Sequence, residues 1–178
     1  MSLFDPSDYE RAAPGGPLVR VRLTLAYDGT GFHGFADQPG LPTVAGRLGA
    51  AVERVLGHPI ELVGAGRTDR GVHAWGQVVS FDAAASAVAR GGLDALVRRL
   101  NALCGPELVV REAAEAEPDF SARFSATSRR YRYTIVNGPV PDPFLRAYAW
   151  WIPDALSIRA MQAGADVLVG EHDFSSFC

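Results

Sequence analysis

Lysine is missing from this 178-residue sequence, so all 17 basic residues are arginine. Schiff-base chemistry on a lysine amine and a phosphate-loop lysine are therefore excluded within this chain. Cysteine is nearly missing as well. Cys104 and Cys178 give neither a disulfide framework nor a paired-thiolate metal motif. The four histidines, His33, His58, His73 and His172, lack close ligand spacing, so no metal site is expected and each reads as a polar loop residue. No cofactor fingerprint is present, and none is expected to be needed. No apolar run approaches the roughly 20 residues of a membrane span. The stretch 1–17 is acidic, contains proline and glycine, and lacks the apolar centre of a signal peptide, which reads as a flexible leader in a cytoplasmic protein with no membrane partner. Net charge is −3, so a nucleic-acid partner would have to be held by a local patch.

What is present is a globular composition, 48% hydrophobic and 21% charged, enough for one substantial core or two small joined ones. Val19, Val21, Leu23, Leu25 and Tyr27 alternate with Arg20, Arg22, Thr24 and Ala26, the period of a strand buried on one side. Tyr27-Asp28-Gly29-Thr30-Gly31 then reads as a turn, in which Asp28 either forms the turn or reaches a site. Thr43 caps a helix carried by Val44, Leu48, Val52, Val55 and Leu56 and stopped by Gly57. Two apolar runs, Ile60 to Val63 and Gln77 to Phe81, read as strands. Leu93, Leu96, Val97, Leu100 and Leu103 mark a second helix closed by Gly105-Pro106, and Leu108 opens a fourth strand. The order strand, helix, strand, strand, helix, strand predicts an α+β fold: a ferredoxin-like β-α-β-β-α-β unit over 18–116, its helices on one face of an antiparallel sheet. A second unit is expected over 117–178.

Between the middle two strands lies Gly64-Ala65-Gly66-Arg67-Thr68-Asp69-Arg70-Gly71-Val72-His73-Ala74. Its glycines indicate a shaped loop. Asp69 stands between Arg67 and Arg70, which would favour its ionised form if they lie close in space, and an ionised carboxylate is a usable nucleophile. The competing reading is an Asx-turn aspartate with surface arginine partners. Further on, Phe120 to Tyr133 is basic and aromatic, with no acid between Asp119 and Asp142. Arg123, Arg129, Arg130 and Arg132 can engage phosphates and an aromatic ring can stack on a base. The alternative there is a plain strand, Tyr131 to Asn137, with a solvated arginine face.

Both stretches resemble one family. Arg-Thr-Asp-x-Gly-Val-His-Ala followed by Gly-Gln-Val-Val-x-Phe resembles the active-site segment of tRNA pseudouridine synthase A, and Phe-Ser-Ala-x-x-Arg-Arg-Tyr-x-Tyr resembles its second motif. Tyr27 to Phe35 resembles the first motif, with Phe35 and Ala36 where the family usually has tryptophan and glutamine. The resemblance implies a pseudouridine synthase fold and the isomerisation of uridine to pseudouridine at positions 38 to 40 of the tRNA anticodon stem-loop. It implies Asp69 as the catalytic residue and Tyr131 as the residue that packs on the target base. Arg67 would orient and ionise Asp69 or fill the space left by the flipped base. Its partners would be tRNA and a second copy of itself, as a homodimer.

Pro139, Pro141 and Pro143 break the pattern after Asn137, and Trp150-Trp151 reads as core or interface. Ile158, Met161, Ala165 and Leu168 make a third helix ended by Gly170. On this reading the second unit has delivered one strand and one helix, which leaves an apolar helix face in water at roughly 25 cal/mol per Å². A truncated chain is the expectation, and with it a second hypothesis: a catalytically inactive RNA-binding module.

Overall fold

The computed structural model describes residues 15–177, so most of the leader and Cys178 lie outside the described residues. By its internal packing the chain divides into two compact units, one ending at Arg129 and the other beginning at Arg130.

The first unit runs β1 (Leu18–Tyr27), a 3-10 turn (Gly29–Gly31), α1 (Val44–Leu56), β2 (Val63–Gly64), β3 (Ala74–Ala84), α2 (Ala85–Ala89), α3 (Gly92–Cys104) and β4 (Leu108–Ala116). The four strands form one sheet in the order β2-β3-β1-β4, antiparallel throughout. β1 is central because its alternation supplies a continuous apolar stripe: Val21, Leu23 and Leu25 are wholly buried, opposite Phe81, Val79 and Gln77 of β3. Val44, Leu48, Val52 and Leu56 of α1 and Leu96, Leu100 and Cys104 of α3 join that stripe in a single core. Both helices end where the sequence says they should. Thr43 Oγ1 accepts from Gly46 N at 3.2 Å, and Gly57, at φ 82°, closes α1 with its N–H on the Glu53 carbonyl.

Two polar side chains stitch the layers. His58, buried, donates from Nδ1 to the Pro59 carbonyl (2.8 Å) and accepts from Ala84 N at Nε2 (3.1 Å), tying the end of α1 to the end of β3. Asn101 of α3 bonds both backbone groups of Val110 (2.7 and 3.0 Å) beside the register shift between Thr24 and Leu25. That shift leaves Arg111 as the extra residue of a bulge.

The opposite face of the sheet is crossed by the segment after β4. Arg20 grips Asp82 (2.6 and 3.0 Å) and donates to the Phe120 carbonyl (2.6 Å), while Ala122, buried, donates its N–H to Ser80 Oγ (3.0 Å). The residues from 117 to Arg129 therefore pack with the sheet, and the compact units divide after them rather than at Ala116.

The second unit holds β5 (Ile135–Asn137) and β6 (Trp150–Ile152), paired in parallel, and α4 (Ile158–Asp166), capped by Ser157. No residue of α4 is buried; Ile158 is 75% exposed.

Several boundaries depart from the sequence reading. Of Ile60 to Val63 only Val63 is in a strand, because pairing with β3 begins at Val63–Ser80 and ends at Gly64–Val79. β3 is longer than Gln77 to Phe81, since β1 offers it a partner along almost its whole length. The strand expected from Tyr131 starts only at Ile135: Tyr131 and Tyr133 alternate correctly but are 71% and 90% exposed, with no face to bury. β6 and the short α2 were not foreseen, so the second unit has two strands rather than one. α4 stops at Asp166, short of Gly170. Trp150 and Trp151 are exposed within their unit rather than in a core.

Candidate active site

The loop between β2 and β3 is held by its backbone at Ala65, Gly66, Thr68, Asp69, Gly71 and Val72. Ala65 N donates to the Val78 carbonyl (2.8 Å), continuing the ladder one step past β2. The Ala65 carbonyl accepts from Arg129 Nη2 and Nε (2.6 and 3.2 Å), and the next carbonyl, Gly66, accepts from Gln77 Nε2 (2.6 Å). Thr68 Oγ1 shares a hydrogen bond of 2.9 Å with Tyr27 Oη, and the Thr68 carbonyl accepts from Phe35 N at 2.9 Å. Beyond Asp69, Val72 N returns to the Asp69 carbonyl (3.2 Å) and Gly71 N reaches the Phe32 carbonyl (3.4 Å). Gly71, at φ 80°, makes the reversal.

Three of these braces come from Tyr27 to Phe35, the turn after β1. Gly34, at φ 92°, lies so close to the loop that a Cβ there would stand 2.8 Å from the Thr68 carbonyl oxygen. Phe35 is buried and fills the space above Gly64, where a Cβ would meet its ring. Asp28 both forms the turn, accepting from Thr30 N (2.9 Å) and Thr30 Oγ1 (2.6 Å), and reaches the loop, 3.2 Å from His73 Nδ1. That same Nδ1 accepts from Gly29 N at 3.1 Å. His73 is thus a bracket between the turn and the start of β3, more than a polar loop residue. Burial pushes the Tyr27 phenol above its ordinary pKa, and its hydrogen bonds with Thr68 and Gln77 oppose that rise.

The result is a fixed backbone presenting exposed side chains. Arg67, Asp69 and Arg70 all point into solvent. The Asp69 carboxylate has no hydrogen-bond or ion-pair partner among the described residues, so the guanidinium pairing expected from Arg67 and Arg70 is not formed. Their long side chains extend outward, where hydration competes with pairing.

Of the other predicted residues, Arg129 lies on the loop. Arg123 sits 5.3 Å over the Phe124 ring on the same unit. Arg130, Tyr131 and Arg132 open the second unit and are exposed. No group of three or more histidine, cysteine or acidic side chains among the described residues is placed to hold a metal ion. A cavity of about 450 Å³, lined by Phe32, Leu41, Thr43, Arg47 and Glu107 among others, lies at the N-terminal end of α1 and takes no residue from the Asp69 loop. Sequence reasoning missed Tyr27, Gly34 and Gln77 as supports. For Tyr27 a signal existed: a tyrosine closing a buried apolar stripe brings a hydroxyl that needs a partner.

Comparison with known proteins agrees with the motifs. A family profile described as tRNA pseudouridine synthase matches residues 24–125. The tRNA pseudouridine synthase A of Brevibacillus brevis is 46% identical over 161 residues, covering 90% of this chain and 64% of that protein. The proteins of the same name from Moorella thermoacetica and Frankia casuarinae are 45% and 48% identical, covering 63% and 58% of their lengths. This chain therefore spans less than two thirds of the curated relatives it matches. Residues 24–125 take in the Tyr27 to Phe35 turn, the whole Asp69 loop and the segment across the sheet as far as Ser125, and on this match the chain belongs to the tRNA pseudouridine synthase family.

Proposed function

We propose that this chain carries the catalytic half of an enzyme that isomerises uridine to pseudouridine in the anticodon stem-loop of tRNA, on a ferredoxin-like unit formed by β1 to β4. The observation that carries the reading is the Asp69 loop itself: backbone bonded at Ala65, Gly66, Thr68, Asp69 and Gly71, with a carboxylate that has no partner among the described residues. A loop serving only as a turn would gain nothing from so many fixed points.

The reaction breaks the bond between ribose C1′ and uracil N1, rotates the base, and joins C5 to C1′. N1 gains a proton and the C5 proton leaves to solvent, so no oxidant or metal enters the balance. Asp69 starts it by attack at C1′, by addition to C6, or by removal of a ribose proton. The uridine must first leave its stack. An exposed carboxylate on a rigid tip suits a base delivered from outside better than a buried one would. Arg67 orients Asp69 or occupies the place the base vacates. Tyr131 packs on the base, and Arg123, Arg130 and Arg132 contact phosphates. A second copy would complete a homodimer on tRNA.

Asp69→Asn should abolish tritium release from tRNA labelled at uracil C5 while filter binding of that tRNA persists. Turnover near the native rate in Asp69→Asn would refute the assignment. A second reading, an RNA-binding module without turnover, is favoured by the exposed apolar side chains of α4 and β6. It predicts binding with no release from the native chain.

A further inference from the structure

We infer that Arg129 is a positioning residue for Asp69, rather than a phosphate contact; this rests on Asp69 being the catalytic carboxylate. The argument begins with what its guanidinium does. Nε and Nη2 both donate to the Ala65 carbonyl, at 3.2 and 2.6 Å, at the residue where β2 has just ended and the loop begins. Gly66 admits this approach: a Cβ there would stand 3.3 Å from Arg129 Nε. With the Ala65 N–H already on Val78 and the Gly66 carbonyl on Gln77, the chain's direction into Arg67, Thr68 and Asp69 is set from both sides.

Arg129 also ends a strap. Its segment is fixed on the far face of the sheet at Phe120 by Arg20 and at Ala122 by Ser80, and is fixed again at Ala65 by Arg129. Within the basic and aromatic motif, Phe120 and Ala122 anchor the segment to the sheet and Arg129 reaches the Asp69 loop, while Arg130, Tyr131 and Arg132 are exposed. Two donors on one oxygen need the planar fork of arginine. Lysine would bring a single mobile charge.

The test compares Arg129→Ala and Arg129→Lys with the native chain and Asp69→Asn. Three measurements are made: amide hydrogen exchange at Ala65, Gly71 and Val72, the salt dependence of unmodified tRNA binding, and single-turnover tritium release at saturating C5-labelled tRNA. Arg129→Ala should speed exchange at those amides about tenfold or more. It should lower the single-turnover rate about 10- to 100-fold, because small misplacements of a reacting group carry penalties of that order. The slope of log affinity against log salt should stay at the native value, and Arg129→Lys should recover part of the lost rate. Unchanged exchange would overturn the proposal, as would a slope reduced by about one with the rate at saturation intact, the mark of a lost phosphate contact. If the native chain releases no more tritium than Asp69→Asn, the proposed function fails on its own account, and exchange with salt slope still decides the role of Arg129.

Discussion

Replacing Gly34 with alanine tests whether the turn after β1 holds the Asp69 loop in place. Gly34 sits at φ 92°, where an L-residue costs about 1–2 kcal/mol. The added Cβ would also stand 2.8 Å from the Thr68 carbonyl oxygen, a backbone atom with no freedom to rotate aside. Relief requires the turn and loop to part, which sacrifices the 2.9 Å bond from Phe35 N to that oxygen, worth about 0.5–1.5 kcal/mol. Together the loss is about 1.5–3.5 kcal/mol. With a urea dependence of about 1–3 kcal/mol per molar, the unfolding midpoint should fall by roughly 1 M. Gly31→Ala is the matched control, since Gly31 belongs to the same turn, has no positive φ, and has open space where its Cβ would go; a change within about 0.5 kcal/mol is expected. The assay is urea unfolding followed by circular dichroism, with hydrogen exchange at Gly71 as a local probe. Equal midpoints for the two variants would refute the claim that close approach at Gly34 positions the loop.

Three further outcomes follow from the same structure. His58→Ala leaves the Ala84 N–H buried without a partner and should cost about 1–3 kcal/mol, read from denaturant unfolding. Leu23→Ala, at the centre of β1 and wholly buried, should cost about 2–5 kcal/mol by the same measurement. For Tyr27 the folded pKa is raised above the ordinary value of 10.0, so its contribution to stability is intact below pH 10 and is lost as pH rises through the folded value. Ultraviolet titration of the native chain against Tyr27→Phe should show a phenol ionising later than the exposed tyrosines, with pH-dependent unfolding flatter in the variant.

Strong periodic signals carried over from sequence to structure where both ends were also chemically marked. α1 lies between Thr43 and Gly57 as written, and β1 keeps its stripe from Val21 to Tyr27. Signals that needed a distant partner did not carry over. Tyr131 and Tyr133 alternate like a strand, yet pairing begins only where Trp150 meets Ile135, a partner no local pattern announces. Ile60 and Leu62 are apolar enough for a strand, but pairing with β3 begins only at Val63, and they pack against the core without a strand partner on β3. Around Asp69, a shaped loop was legible from its glycines, while the groups that hold it were not. Sequence adjacency suggested Arg67 and Arg70 as its partners, and the groups that fix the loop come instead from Tyr27, Phe35, Gln77 and Arg129, spread across the first unit.

The strand order has a consequence for how the protein is made. β1 leaves the ribosome before the other three strands of its sheet but lies inside the finished sheet, and its second neighbour, β4, ends only at Ala116. At about 5–20 residues per second, the stretch from Leu18 to Ala116 takes on the order of 5–20 s to emerge. Throughout that interval the Val21, Leu23 and Leu25 stripe has α1 as its earliest shelter within this unit, so the apolar seam between β1 and α1 stays open to a chaperone until β3 and β4 arrive.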